Sequence, residues 1–379
     1  MNVPFYDATR EYKNRKSEFD TAISAVLEKG NFILGNQVAE LEQKICEYSG
    51  AKYAVGLANG SDALVIASDI LGFTDKKAEI LTPAFTFFAS ASCIARLGAR
   101  PVFCDIDEQT FCMDMNDAEK RITEQTRGIL PVHLFLQMAD MNICMDIARR
   151  YKLCVLEDAA EAFGMKTVYK NADNTAIEKT AGTIGDIGVY SFFPTKTLGC
   201  YGDGGMLVTN NEEYYKKAKS LRTHGAVTKY HHDYIGYNSR LDTLQAAVLN
   251  VKIATIDNAI AKRAEHAQQY MSLLSDIPEI VLPFIKGTGR PVYYVFNIRA
   301  QKRDNLKKFL ESEGVGTTVY YPKCLHEQKC FEYLGYKKGD FPMAEKMCSE
   351  VLALPMYPEL KEDEVNYICE KIKRFYKNV

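Results

Sequence analysis

A lysine set among aromatic and small residues is the first feature of this chain that suggests chemistry. Lys196 lies in Ser191-Phe192-Phe193-Pro194-Thr195-Lys196-Thr197-Leu198-Gly199-Cys200-Tyr201-Gly202-Asp203-Gly204-Gly205, with four glycines just beyond it. Desolvation disfavours an ammonium, so a lysine here is expected to have lowered basicity and to form a Schiff base with a carbonyl. The glycines allow tight turns around something bulky. The plainer reading is a surface lysine whose stem packs on its apolar neighbours.

Four other places carry polar residues where strands are expected to end. In Val155-Leu156-Glu157-Asp158-Ala159-Ala160-Glu161, carboxylates follow an apolar strand and are costly there unless they meet a partner. Asp158 could pair with a protonated ring nitrogen, or serve as a helix cap or structural ion pair. Asn59-Gly60-Ser61-Asp62-Ala63-Leu64 exposes backbone N–H groups at a helix start, which suits a phosphate. An Asn-Gly turn with Ser61 as cap is the alternative. Phe87, in Pro83-Ala84-Phe85-Thr86-Phe87-Phe88, could stack on a flat ring or simply pack in the core. His231 and His232 invite a metal reading. Adjacent side chains on a strand point opposite ways and no third ligand is evident, so no metal site is expected.

Together the pieces say more than any one of them. An Asp at a strand end, a Lys 38 residues later and an early Gly-Ser turn form the layout of a pyridoxal 5'-phosphate (PLP) site. Asp158 would keep the pyridinium nitrogen protonated. Lys196 would anchor the cofactor and, once freed, move a proton. Ser191, five residues before Lys196, could add a hydroxyl to the phosphate. Residues 56–61 supply no G-x-G-x-x-G turn, which argues against a Rossmann-type dehydrogenase.

The elements that must position these groups alternate in type. Short apolar runs at 53–57, 79–82, 100–105, 128–132, 154–157, 188–192 and 205–209 read as strands separated by helical patterns. That predicts an α/β fold with a mostly parallel sheet covered on both faces, with ligands collecting at the carboxyl ends of its strands. Helices are expected at 16–29 and 37–48, and a long one over 241–275. Strands near 292–299 and 316–321 and helices near 342–352 and 362–377 then describe a smaller α+β unit. The expected division is 1–250, a large cofactor-binding domain, and 251–379, with the N-terminal helices free to pack on the small domain. A chain of 379 residues is long enough for two domains. Hydrophobic residues at 47% and a net charge of −2 give no global case for nucleic acid or membrane, and no apolar run approaches the roughly 20 residues of a membrane helix. The 11 cysteines lack a CxxC pair, and Met1-Asn2-Val3-Pro4 opens without a signal peptide, so reduced thiols and a cytoplasmic location are expected.

The motifs run through nearly the whole length. They include Ile33-Leu34-Gly35, Asn59-Gly60-Ser61-Asp62-Ala63-Leu64, Leu130-Pro131-Val132-His133, Glu157-Asp158-Ala159-Ala160, Ser191-Phe192-Phe193-Pro194-Thr195-Lys196, Tyr201-Gly202-Asp203-Gly204-Gly205, Asn238-Ser239-Arg240-Leu241-Asp242 and Tyr321-Pro322 with Leu325-His326. In these the chain resembles the DegT-type nucleotide-sugar aminotransferases, of PLP fold type I within the aspartate aminotransferase superfamily. The resemblance implies that Lys196 bonds to PLP, Asp158 binds the pyridine nitrogen, Phe87 stacks on the ring, and Gly60, Ser61 and Ser191 hold the phosphate. It implies that Asn238 reaches that phosphate from the neighbouring copy, hence a homodimer with shared active sites. Arg240 would meet the substrate's phosphates, Tyr321 and His326 the sugar pocket, and Phe32, with Ile33, the edge of the cleft. Glu161 departs from the pattern, since many members carry Gln or His near the ring's 3' oxygen. Residues 168–183 are longer and more polar than the usual hairpin, and Leu136-Gln137 replaces a more usual Gly-Gln.

The expected reaction is amino transfer from an amino acid, with glutamate as the family's habit, to the keto group of a nucleotide-linked sugar. The run from Lys196 to Gly205 is more similar to the branch acting at C3, and Asn59-Gly60-Ser61-Asp62 to enzymes that use UDP-linked 2-acetamido-3-keto sugars. Such sugars supply surface polysaccharide and lipid A-type glycans. The alternatives are a C4-acting or dTDP-3-keto-6-deoxysugar aminotransferase, a sugar dehydratase of the same fold, in which His replaces the lysine, and a PLP-binding regulator without catalysis.

Overall fold

A computed structural model of the chain describes residues 1–171, 173–287 and 289–377. Five parallel strands come first: β1 (Tyr53–Leu57), β2 (Glu79–Pro83), β3 (Arg100–Cys104), β4 (Thr126–Ile129) and β5 (Cys154–Asp158). Then β6 (Lys166–Lys170) and β7 (Ala176–Thr180) form a separate antiparallel hairpin, and β8 (Ile187–Ser191) and β9 (Gly205–Thr209) return to the main sheet. The order in that seven-stranded sheet is β1-β9-β8-β5-β4-β2-β3. Only β9 runs against its neighbours, pairing antiparallel with both β1 and β8. The expected mostly parallel α/β sheet is what the chain forms.

Burial explains why these runs are strands. In β1, β2 and β3 every residue after the first is buried, and β9 is buried throughout. Strands covered on both faces read as continuous apolar runs, which is how they are written in the sequence. Side-chain caps start the crossover helices. Asn59 Oδ1 accepts from the Asp62 N–H at 2.7 Å and opens Gly60–Ile70, and Asp140 Oδ1 accepts from the Ile143 N–H at 3.1 Å and opens Met141–Tyr151. The chain turns into a helix within three residues of β1, whereas loops separate β4 from Met141–Tyr151 and β5 leads into the β6–β7 hairpin.

Beyond the sheet, β10 (Ala226–Thr228) and β11 (His231–His232) make a short antiparallel pair. The long helix expected over 241–275 is two helices, Thr243–Ile253 and Ile256–Leu274. Arg15 occupies the break: its guanidinium donates to Thr255 Oγ1 at 2.8 Å and to the Val251 carbonyl at 3.0 Å. It thereby satisfies a carbonyl that the interrupted helix leaves free.

The C-terminal part holds a second sheet, β12 (Ile280–Val281), β13 (Phe296–Ala300) and β14 (Val351–Leu354), all antiparallel. Two expectations fail here. The region 316–321 is not a strand, because it bridges Val3 through Val315 on one side and Ala353 through Thr318 on the other without following either. The helix expected to 352 ends at Glu350, because Val351–Leu354 is fully buried and pairs with β13. A four-residue apolar run carries no periodicity that separates the two outcomes.

The first residues divide their attachments. Val3 bridges Val315, and Arg10 makes a bidentate pair with Glu364, 2.6 Å on each arm. Helices Lys16–Lys29 and Asn36–Ser49 instead pack on Thr243–Ile253. The segment 168–183 is the β6–β7 hairpin, and residue 172 at its tip lies outside the described residues. Among the described residues no helix is long and apolar enough to cross a membrane.

Candidate active site

The ends of β1, β2, β5 and β8 surround one cavity of about 390 Å³. From the turn after β1 come Asn59, Gly60 and Ser61; after β2 come Thr86 and Phe87; from the end of β5 and the turn after it come Asp158 and Glu161; from the end of β8 and the turn after it come Ser191 and Lys196. Tyr294, Tyr320 and Tyr321 close it from the C-terminal part. The backbone at the phosphate turn is crowded. A Cβ on Gly60 would lie 2.8 Å from Ser191 Cβ, and one on Gly205 would lie 2.4 Å from the Asn59 carbonyl carbon. Glycine is what lets three chain segments meet there.

Asp158 is buried, and two donors reach it: the Ser90 hydroxyl to Oδ2 at 2.7 Å and the Ala160 N–H to Oδ1 at 3.1 Å. Burial pushes its carboxyl above the ordinary aspartate value, against the pull of those hydrogen bonds. Lys196 Nζ lies 3.3 Å from Glu161 Oε1 and 4.2 Å from the centre of the Tyr294 ring. The lowered basicity expected for this lysine is not what the structure gives. Burial does push the ammonium down, but Glu161, Tyr294 and Asp158 outweigh it and the net direction is up. Glu161 also receives the Tyr321 hydroxyl at 3.3 Å on Oε1 and the Phe135 N–H at 3.2 Å on Oε2.

Of the residues singled out from sequence, Gly60, Ser61, Phe87, Asp158, Glu161, Ser191, Lys196 and Tyr321 come together around this cavity. Phe87 is 57% exposed, its ring 6.3 Å from that of Tyr321. Asn238 and Arg240 do not line it. They line a neighbouring recess with Asn59 and Asp203, two residues that also face the main cavity. Phe32 is exposed, and its carbonyl accepts from the Thr243 N–H at 2.9 Å, away from the cavity lining. His326 is buried behind the site, Nε2 3.2 Å from Glu345 Oε1 and its ring 4.7 Å from Phe341. It does not line the cavity, because its short 3-10 turn (Leu325–Glu327) aims the ring into the packing around Phe341. His231 and His232 are exposed, with His232 Nδ1 2.9 Å from the His224 carbonyl oxygen.

Sequence reasoning missed Ser90 and Tyr294. Ser90 stands in the first turn of Ala89–Arg96, where a hydroxyl can point back at a strand end. Its spacing of four from Thr86 is the signal the sequence offers, and in the structure the two hydroxyls lie 3.3 Å apart. Tyr294 carried none, since it lies within an apolar run that reads as a strand.

A mostly parallel sheet whose strand ends gather a lysine, a buried carboxylate and a glycine-lined helix start defines a PLP-dependent enzyme of the aspartate aminotransferase type. The chain belongs to the DegT/DnrJ/EryC1/StrS aminotransferase family, which matches residues 13–373. It is 46% identical over 380 residues to a pleiotropic regulatory protein of Geobacillus stearothermophilus, covering 100% of each chain. It is 38% identical to the UDP-2-acetamido-2-deoxy-3-oxo-D-glucuronate aminotransferase of Pseudomonas aeruginosa, over 97% of this chain and 98% of that one. The crystal structure of DesV from S. venezuelae matches with a TM-score of 0.95 at 34% identity, covering 100% of this chain and 99% of that one. The protein is an aminotransferase, and the family uses PLP.

The residues present fit that cofactor. The cavity of about 390 Å³ is in the range of small-ligand sites. Its floor offers the free N–H groups of a helix start, pressed against the Ser191 side chain by Gly60. At another wall a buried carboxylate has two hydrogen-bond donors among the described residues, and a lysine amine lines the same space.

Proposed function

We propose that this aminotransferase places an amino group on C3 of a nucleotide-linked keto-sugar, with a UDP-linked 2-acetamido-3-keto sugar preferred and glutamate as donor. The observation that carries the reading is the single cavity that joins Lys196, Asp158 and the Gly60-Ser61 helix start. Two relatives support C3 by their names: the P. aeruginosa enzyme acts on a 3-oxo sugar, and a relative from Acidithiobacillus ferrooxidans, 37% identical, is a 3-aminotransferase of a UDP-N-acetyl-3-dehydroglucosamine.

When bound, PLP supplies an aldehyde and an electron-accepting ring, so that a proton can leave the carbon bearing the transferred nitrogen. The protein's own groups do the rest. The N–H groups of Gly60 and Ser61 and the Ser191 hydroxyl hold the phosphate. Asp158 keeps the proton on the ring nitrogen, which relieves the cost of its own buried charge. The Phe87 ring, which lines the cavity, would stack on the cofactor's face. Lys196 Nζ takes the proton from the donor carbon and later returns one to the sugar carbon. The tyrosines at 294, 320 and 321 narrow the mouth against water.

We also propose a homodimer in which Asn238 of the partner subunit completes the phosphate site and Arg240 contacts the sugar nucleotide's phosphates. Exposed apolar side chains support a covered surface there: Ile235 is 98% exposed and Tyr230 83%, both in the loop leading to Asn238. Two domains meeting near residue 250 fit the helix break at Ala254-Thr255. A regulatory reading draws on the name of the Geobacillus relative and predicts cofactor binding without turnover. Incubation with glutamate and a panel of UDP- and dTDP-linked 3-keto and 4-keto sugars, read by mass spectrometry, separates these. An amino sugar from the UDP-linked 3-keto substrate is expected. Turnover of only 4-keto sugars overturns the regiochemistry, and no product from any sugar favours the regulator.

A further inference from the structure

Lys196 is held by more than a cofactor requires. Its Nζ is 3.3 Å from Glu161 Oε1 and 4.2 Å above the Tyr294 ring, and its side chain keeps only 14% of its exposure. Glu161 is itself fixed, by the Phe135 N–H at 3.2 Å and the Tyr321 hydroxyl at 3.3 Å. Tyr294 is fixed too, its hydroxyl 3.1 Å from Thr195 Oγ1, one residue before the lysine. A carboxylate and an aromatic face converging on one amine form a receptor for a cation. A neutral lysine, or one bonded to a cofactor, would gain little from either.

We propose that Glu161 and the Tyr294 face form a dock that holds the Lys196 ammonium once the freed amine has taken up a proton. This rests on the assignment of Lys196 as the cofactor lysine. In amino transfer the lysine is free through the steps that move protons. The proton taken from the donor carbon must stay on Nζ until it is delivered, and water reaching that amine would remove it. The dock keeps the charged form within the cavity, on the side where Glu161 and Tyr321 already lie. The titratable groups around Nζ are Asp158 at the end of β5, Glu161 after it and Tyr294 before β13, with Tyr320, Tyr321 and Asp203 on the cavity wall. Among them Glu161 is the carboxylate that touches the amine, and its charge is the first that raises Lys196 against burial. Glu161 thus acts as a positioning residue through Lys196. It needs a negative charge to do so, which a Gln or His at this place does not supply.

The test follows covalent capture of PLP by cofactor-free protein across pH, from the rise of near-visible absorbance. Capture requires a neutral amine, so its rate climbs as Lys196 loses its proton. Glu161→Gln keeps the shape and the acceptor for Phe135 but removes the charge. Its capture profile should move down by about one pH unit, which is about tenfold faster capture at neutral pH. Tyr294→Leu should move it the same way and less, and Glu161→Asp should restore part of the wild-type profile. A Glu161→Gln profile that overlays the wild type overturns the dock. Should that variant not fold, Tyr294→Leu carries the test, and an unmoved profile there overturns the aromatic half and the dock with it. Wild-type protein that never develops the absorbance instead overturns the assignment of Lys196 itself.

Discussion

Glu157 and Asp158 are neighbours in the chain and opposites in the fold. Glu157 is fully buried and receives four donors: His133 Nε2 at 2.8 Å and the N–H groups of Gly182, Ile184 and Gly185 at 2.9, 2.7 and 2.5 Å. His133 Nδ1 accepts from the Ala139 N–H at 3.2 Å, which places the ring proton on Nε2 and makes it a donor to Glu157. Asp158 points the other way along β5, has two donors and faces the cavity. A carboxylate with its acceptor sites filled stitches three segments together. One left short of partners beside a cavity is waiting for a ligand's proton. The strand end carries both, and the alternation of side chains along β5 is what separates them.

That contrast can be broken from either side. The largest effect is expected on the open side: Lys196→Ala should lower turnover by at least ~10⁴-fold, since both the covalent anchor and the proton carrier go. Steady-state assay with glutamate and keto-sugar reads it. On the closed side, Glu157→Gln puts an amide among four donors and should destabilise the fold by about 3–5 kcal/mol, measured by denaturant unfolding. Asp158→Asn, one residue away, should do nothing of the kind. Burial raises the Asp158 carboxyl above its unfolded value, so its contribution to stability is fully present only at low pH, where it is protonated in both states. That contribution is lost as pH rises through the folded value. Cofactor-free Asp158→Asn should therefore be more stable than the wild type at neutral pH, with the gap closing as pH falls below the unfolded aspartate value. The smallest effect is Ser90→Ala, which takes one donor from Asp158 and should cost about 1 kcal/mol at pH 7.

Much of this is legible in the amino-acid sequence. The strand runs could be read because strands buried on both faces leave unbroken apolar stretches, and Asp158, Lys196 and Gly60 because polar or glycine residues interrupt those stretches at their ends. What the sequence hides is direction. Nothing in Leu325-His326 says that the imidazole turns toward Glu345 and Phe341 rather than into the cavity. Nothing in Glu157-Asp158 says which carboxylate faces the cavity, although the one-residue offset guarantees that only one does. The basicity of Lys196 does not follow from its sequence context, because burial is visible in an apolar run while a countercharge from Glu161, 35 positions away in the chain, is not. The split of the helix at Ala254-Thr255 depends on Arg15, which no local pattern connects to it.

The central claim is that one amine, Lys196 Nζ, carries the cofactor. Reduction of PLP-loaded protein with borohydride, followed by peptide mapping, tests it most directly. The account predicts a single pyridoxyl-modified peptide, Ser191 to Gly205 or a fragment of it, with the label on Lys196 and loss of the near-visible band. A label on any other lysine, or none at all, would contradict it.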